Sequence, residues 1–212
     1  MPSIAKSERL ALADLLDELG PDAPTLCAGW DTRALAAHLV VRERRPDATP
    51  GVAVSALAGW TAAVQESYEQ RPYAELTRLV RTGPGRLSAF SLPGVDRFLN
   101  TTEYAVHHED VRRAQPGWSP RRLPSGVQDA LWKAVRARAT LSLRGLDVGV
   151  LLRRAGAPRS QVVASKGEPA VTVTGEPMEL LLFLFGRRDH ARVEVTGDTA
   201  ARAALDAASL DV

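Results

Sequence analysis

The stretch Asn100-Thr-Thr-Glu-Tyr-Ala-Val-His-His-Glu-Asp110 reads as helix and gathers polar chemistry on one of its faces. Glu103 and His107 stand four residues apart, so their side chains leave the same face one turn from each other. A carboxylate and an imidazole converging there form half of a metal site and need one more ligand from elsewhere. Such pairs also arise by chance on solvated helix faces, so the spacing alone leaves both readings open. Histidine occurs only at positions 38, 107, 108 and 190. His38 is the best candidate for the third ligand.

The segment around His38 supports that choice. Asp31 is a good N-cap, with Trp30 and Leu35 placed to staple the helix start, and the helix it opens runs to about Arg45 before Pro46. His38 shares a stripe with Leu35 and Leu39, which predicts that it faces the protein interior. Asp110 follows His107 by three residues on nearly the same face and is placed to orient a ligand or a bound water. His108 and Glu109 point elsewhere around the helix. Glu43, five residues beyond His38, reads as a surface or supporting group. Three ligands, His38, Glu103 and His107, leave open positions for water or substrate. The N,N,O set suits Zn²⁺ best, with Fe²⁺, Ni²⁺ and Mn²⁺ as other candidates.

Helical periodicity extends over the first two-thirds of the chain. A one-sided stripe of Leu12, Leu15, Leu16 and Leu19 predicts a helix over Ile4–Leu19, stopped by Gly20-Pro21. Further helices are expected from Ser55 to Gln70, from Tyr73 to Phe90 with an interruption at Gly83-Pro84-Gly85, and from Asp96 to Ala114. Ser125 is read as the cap of another helix bearing Leu131, Trp132, Val135 and Leu141. The pattern changes near Gly145. Residues 148–152, 161–163, 171–174 and 192–196 are β-branched and partly alternating, as strands are. Between the last two lies an apolar run expected to be a buried helix, with Pro177 at its first position and Gly186 at its end. A final helix is expected from Asp198 to Ala208. The expected organisation is α+β: a helix bundle over residues 1–145 and a small α/β module over 146–212.

Composition excludes several classes. The 212 residues are 45% hydrophobic and 25% charged, ordinary for a globular protein, with a net charge of +2 and a pI near 9.0. Arginine supplies nearly all the positive charge, lysine occurring only at 6, 133 and 166, and no basic run alternates with aromatics. Nucleic acid is therefore not expected as a partner. The run from Leu180 to Phe185 is too short to span a bilayer, so no membrane partner is expected. Cys27 is the sole cysteine and the N-terminus lacks the apolar core of a signal peptide, so a cytoplasmic location is expected.

Two motifs carry a family resemblance. Pro24-Thr-Leu-Cys-Ala-Gly-Trp-Asp-Thr-Arg-Ala-Leu-Ala-Ala-His-Leu39 resembles the opening motif of the mycothiol-dependent maleylpyruvate isomerase family, within the DinB-like superfamily of metal-binding four-helix bundles. Glu103-Tyr-Ala-Val-His-His-Glu-Asp110 is similar to its second motif, E-x-x-x-H-x-x-D. The segment Val173 to Arg187 resembles the family's C-terminal module, distantly like a sterol-carrier fold. The resemblance implies metal ligands at His38, Glu103 and His107, and mycothiol as cofactor in reactions on small electrophilic substrates. Arg42-Glu-Arg-Arg-Pro-Asp47 looks like an actinobacterial subgroup described only as metal-binding, so the isomerase substrate does not carry over.

The remaining residues have two readings each. Arg42, a turn beyond His38, is placed to receive a substrate carboxylate or to lie on the helix surface. Arg187 is read either as a cofactor-binding group in a cleft between the modules or as a complement to the dipole of the preceding helix. Cys27 is read as a small buried hydrophobe, with ligand or redox partner as alternatives, and His190 as an exposed turn residue. Two functions follow: a divalent-metal enzyme using a small-molecule thiol for isomerisation or thiol transfer, or a non-catalytic metal-dependent protein binding an apolar or thiol-conjugated ligand. The chain is expected to be a monomer or homodimer.

Overall fold

The structure is a computed structural model and describes residues 3–45, 47–48, 58–85 and 100–208. The chain divides into two compact units, residues 1–119 and 120–212, together an α+β architecture.

Five helices are described in the first unit: α1 (Ile4–Leu19), α2 (Thr32–Arg44), α3 (Ala58–Glu69), α4 (Tyr73–Thr82) and α5 (Thr101–Arg113). Ser3 caps α1 by accepting from the Lys6 amide, and Gly20, at φ 79°, ends it. The Asp31 carboxylate caps α2, accepting from the Ala34 amide at 2.8 Å. Gly83, at φ 75°, ends α4, so the helix expected to reach Phe90 closes at Thr82. Residues 86–90, the expected start of α3 at Ser55 and that of α5 at Asp96 lie outside the described residues.

α1 packs against α5 and α4, and α2 against α3 and α4. Their apolar faces meet in one core that includes Leu12, Leu16, Leu35, Leu39, Leu76, Val80, Tyr104 and Val111. Each fully buried leucine contributes about 1.5–3 kcal/mol. Leu35 and Leu39 flank His38 in α2, and Tyr104 and Val111 flank His107 in α5, so this burial fixes where the two histidines stand.

The second unit comprises α6 (Ser125–Ser142), β1 (Gly149–Arg154), β2 (Gln161–Ser165), β3 (Ala170–Gly175), α7 (Pro177–Leu184), a 3₁₀ turn (Arg188–His190), β4 (Glu194–Gly197) and α8 (Thr199–Ala207). The sheet order is β2-β1-β3-β4, with β1 and β3 parallel and both outer pairings antiparallel. Val150, Leu152, Ala164, Val171 and Val173 form its buried face. All eight residues of α7 are buried. Pro177 holds its first turn, and the amides of Gly186 and Arg187 return to the carbonyls of Phe183 and Leu182, closing the far end. α6 packs against α7 and β2, so the boundary between units falls at 119/120 rather than at 145/146. Its cap position is Pro124, with Ser125 already inside the helix. Among the described residues no helix is long and apolar enough to cross a membrane.

Candidate metal centre

α2 and α5 bring the three ligands expected from sequence to one point. His38 Nε2 lies 3.3 Å from Glu103 Oε1, and His107 Nε2 lies 3.3 Å from the same oxygen. One nitrogen or oxygen from each of the three residues falls within 4.8 Å of the others. Zinc–nitrogen and zinc–oxygen bonds of about 2.0–2.1 Å at a tetrahedral angle separate neighbouring donors by about 3.3 Å. The donor set and its spacing therefore fit a divalent cation held by three residues. Side-chain exposure is 28% for His38, 21% for Glu103 and 12% for His107, so solvent reaches the centre from the His38 side. The Trp30 ring packs on His38 with centroids 4.9 Å apart.

The opposite nitrogen of His107 is also engaged. Nδ1 lies 2.9 Å from Asp110 Oδ2, and the Asp110 side chain is fully buried. A carboxylate only accepts, so His107 donates from Nδ1 and directs Nε2 toward Glu103 and His38. Asp110 thus stands on the opposite edge of the ring from Glu103.

The ionisation of the metal-free centre follows from this geometry. Burial pushes the His107 imidazole toward its neutral form. Hydrogen bonds with Asp110, Cys27 and Glu103 outweigh burial and hold its pKa well above the usual histidine value. Burial likewise favours the neutral form of Glu103, but hydrogen bonds from His107 and His38, aided by the Arg42 charge, hold its pKa well below the carboxylate range. A proton on His107 thereby occupies the electrostatic position suited to a cation.

Arg42 borders the triad. Its Nε lies 3.3 Å from Glu103 Oε1 and its Nη1 donates to Asn100 Oδ1 at 2.7 Å. Asn100 is fully buried; nothing in its local sequence marks it as a partner of Arg42.

Cys27 packs against the hydrophobic core, as its reading held, and also makes polar contacts. Its Sγ lies 3.2 Å from Asp110 Oδ2 and 3.7 Å from His107 Nδ1. A cysteine eleven residues before His38 (38 − 27) carries no local signal of this position, because the loop that holds it is fixed to α5.

Other expectations need correction. Glu43 is buried, at 2% exposure, rather than at the surface. It stands against Tyr104: burial raises the phenol pKa well above its ordinary value, and the charge of Glu43 raises it further. His190 is half-buried in the 3₁₀ turn rather than exposed. His108 points away from the centre, as expected, and pairs with Glu8 of α1 at 2.9 Å. Arg187 belongs to the second unit, where its Nη1 donates to the Phe185 carbonyl at 2.6 Å, in keeping with a role at the end of α7.

No protein-family profile and no curated protein matches this chain. Two solved structures are similar over nearly its full length. The mycothiol-dependent maleylpyruvate isomerase aligns over 92% of this chain and 90% of its own, with a TM-score of 0.59 and 16% identity. A histidine-to-alanine variant of that isomerase aligns over the same shares at 16% identity, with a TM-score of 0.54. The chain therefore has the fold of the mycothiol-dependent maleylpyruvate isomerase.

Proposed function

We propose that this protein is a divalent-metal-dependent enzyme that uses a low-molecular-weight thiol, mycothiol, to isomerise a small electrophilic substrate or transfer a thiol to it. The observation that carries this reading is the convergence of two imidazole nitrogens on one carboxylate oxygen, each at 3.3 Å, among partly exposed side chains. The choice of thiol is supported by the similar solved structure, which is of a mycothiol-dependent enzyme.

His38, Glu103 and His107 hold the cation, and zinc suits their N,N,O set best. A cation bound there lowers the pKa of a coordinated thiol or water and so supplies a nucleophile near neutral pH. Asp110 keeps the His107 proton on Nδ1, so that Nε2 stays available. The Trp30 ring packs against His38 at a tilt of 46° and restrains it. Arg42, already aligned by Asn100 and bordering Glu103, offers its guanidinium to a carboxylate of the substrate.

Metal analysis of the purified protein beside His38→Ala tests the ligand set. The native chain is expected to retain about one divalent ion per chain, and the variant to lose most of it, as removal of one of three ligands demands. Equal metal in both would refute the assignment. Calorimetric titration with mycothiol, with and without chelator, tests the thiol; binding that survives full chelation unchanged would refute a metal-dependent role for it.

A further inference from the structure

The loop between α1 and α2 is built as a rigid arm reaching the far side of His107. Thr25 Oγ1 donates to the Trp30 carbonyl at 2.8 Å and accepts from the Cys27 amide at 3.1 Å, while the Trp30 amide donates to the Cys27 carbonyl at 3.0 Å. Pro24 and Asp31 form a bridge across its base. Two bonds tie the arm to α5 and the residues just after it: the Leu26 amide donates to the Asp110 carbonyl at 3.1 Å, and Gln115 Nε2 donates to the Pro24 carbonyl at 3.0 Å. Cys27 is thus held against the same turn of α5 that carries Asp110.

At 3.2 Å from Asp110 Oδ2 the thiol is the donor, because the carboxylate has no proton to give. Oδ2 then accepts from both Cys27 and His107. Two donors converging on one buried oxygen restrain rotation of the carboxylate and hold that oxygen in place for His107 Nδ1. The Cys27 sulfur lies beside Nδ1, while the Glu103 oxygen lies beside Nε2. The sulfur and the cation position therefore sit at opposite nitrogens of the ring.

We propose that Cys27 is a positioning residue for the metal centre, acting through Asp110 to fix the tautomer and orientation of His107. The proposal rests on the metal-centre reading above. The thiol neither binds the cation nor reacts; its contribution is one S–H donor delivered by a rigid loop. Removing that donor loosens the Asp110 carboxylate, and the cost appears as metal affinity.

The test uses the full chain as native protein and as Cys27→Ala, Cys27→Ser, Cys27→Val and His38→Ala variants. Each is stripped of metal and titrated with cobalt(II) against a chromophoric chelator at fixed pH. Cys27→Ala is expected to bind cobalt about three- to tenfold more weakly, the range one net hydrogen bond supplies. Cys27→Ser, which keeps a donor, is expected to restore near-native affinity. Cys27→Val, apolar but bulkier than alanine, repeats the measurement should the alanine variant fail to fold. At alkaline pH, where the imidazole is neutral, nitrogen NMR of the His107 ring should report a single Nδ1–H tautomer in the native and serine forms, and a mixture when the donor is absent. Native affinity in the apolar variants, or serine as weak as alanine, overturns the proposal while leaving the metal centre intact. A thiolate-to-cobalt charge-transfer band that vanishes in Cys27→Ser also overturns it, by making the sulfur a ligand. Undiminished cobalt binding by His38→Ala overturns the metal-centre reading itself, and this proposal with it.

Discussion

Asp110 offers the sharpest test of how the metal centre is supported, because it touches the cation only through His107. Its side chain is fully buried and its Oδ2 lies 2.9 Å from His107 Nδ1. In Asp110→Ala the Nδ1–H loses its acceptor in a place where water is scarce, a penalty of about 1–3 kcal/mol. The ring is then free to turn or to move its proton to Nε2. Partners of this kind are typically worth about 10–100-fold in metal affinity, or about 1.4–2.7 kcal/mol. Asp110→Asn keeps a carbonyl acceptor and loses only the charge, so it belongs near the tenfold end. A second effect runs the other way. Asp110 is the strongest of the groups that raise the His107 pKa, so its removal also weakens the proton that competes with the metal. The affinity gap between native protein and Asp110→Ala is therefore widest at alkaline pH, where no proton competes, and narrows as pH falls. Competition titration with a chromophoric chelator across that range measures both trends. Affinity in Asp110→Ala within about twofold of native at alkaline pH, or a gap that widens on acidification, would refute the reasoning.

Zinc binding by the native protein should weaken as pH drops, by up to tenfold per unit once His107 is protonated, with the fall beginning above the ordinary histidine pKa of about 6.5; a flat profile through neutrality contradicts the raised His107 pKa. The sign reverses for stability of the metal-free protein: with the folded-state pKa raised, the His107 contribution is complete below about 6.5 and is lost as pH climbs through the folded value, which denaturant titrations at several pH values will show. Arg42→Ala is expected to leave metal content unchanged and to weaken a carboxylate-bearing substrate analogue about tenfold, a typical loss for one charge-assisted contact; equal analogue affinity refutes the role. In Gly149→Ala the new Cβ would sit 2.3 Å from the Gly167 carbonyl oxygen, so the second unit should lose about 1–3 kcal/mol in thermal or chemical unfolding, and an unchanged midpoint would contradict the close approach.

What the sequence disclosed and what it hid divide along physical lines. Glu103, His107 and Asp110 were legible because a helix converts spacing directly into direction. His38 was legible because Leu35 and Leu39 mark the face on which it lies. Pro177 and Gly186 announced both ends of α7 through backbone constraints that hold in any fold. Cys27 was not legible as a partner of Asp110, since 83 residues separate them and only the loop's tertiary bonds bring them together. The burial of Glu43 was hidden for a related reason: the residue stands against Tyr104 from another helix. The amphipathic pattern of α6 was read correctly, but a pattern shows that a face is buried and not what buries it. That partner, α7 with β2, determines the unit to which the helix belongs.

α5 carries two adjacent histidines with opposite fates, and its buried pairings explain why they do not exchange. His107 is matched to Asp110 and Glu103, His108 to Glu8 on α1, and Glu109 to Arg112 and the fully buried Arg113. Turning α5 by one residue, about 100° at 3.6 residues per turn, would set His108 in the ligand position while breaking its pairing with Glu8 on α1 and parting Asp110 from Cys27. Leaving even one buried charge without its partner costs about 3–5 kcal/mol. The helix is in effect keyed like a shaft in its socket, and the key is cut from groups that never touch the cation. The arrangement of His38, Glu103 and His107 is therefore set by the fold alone, and under the proposed function the chelated protein should keep its helical circular dichroism and take up metal without refolding.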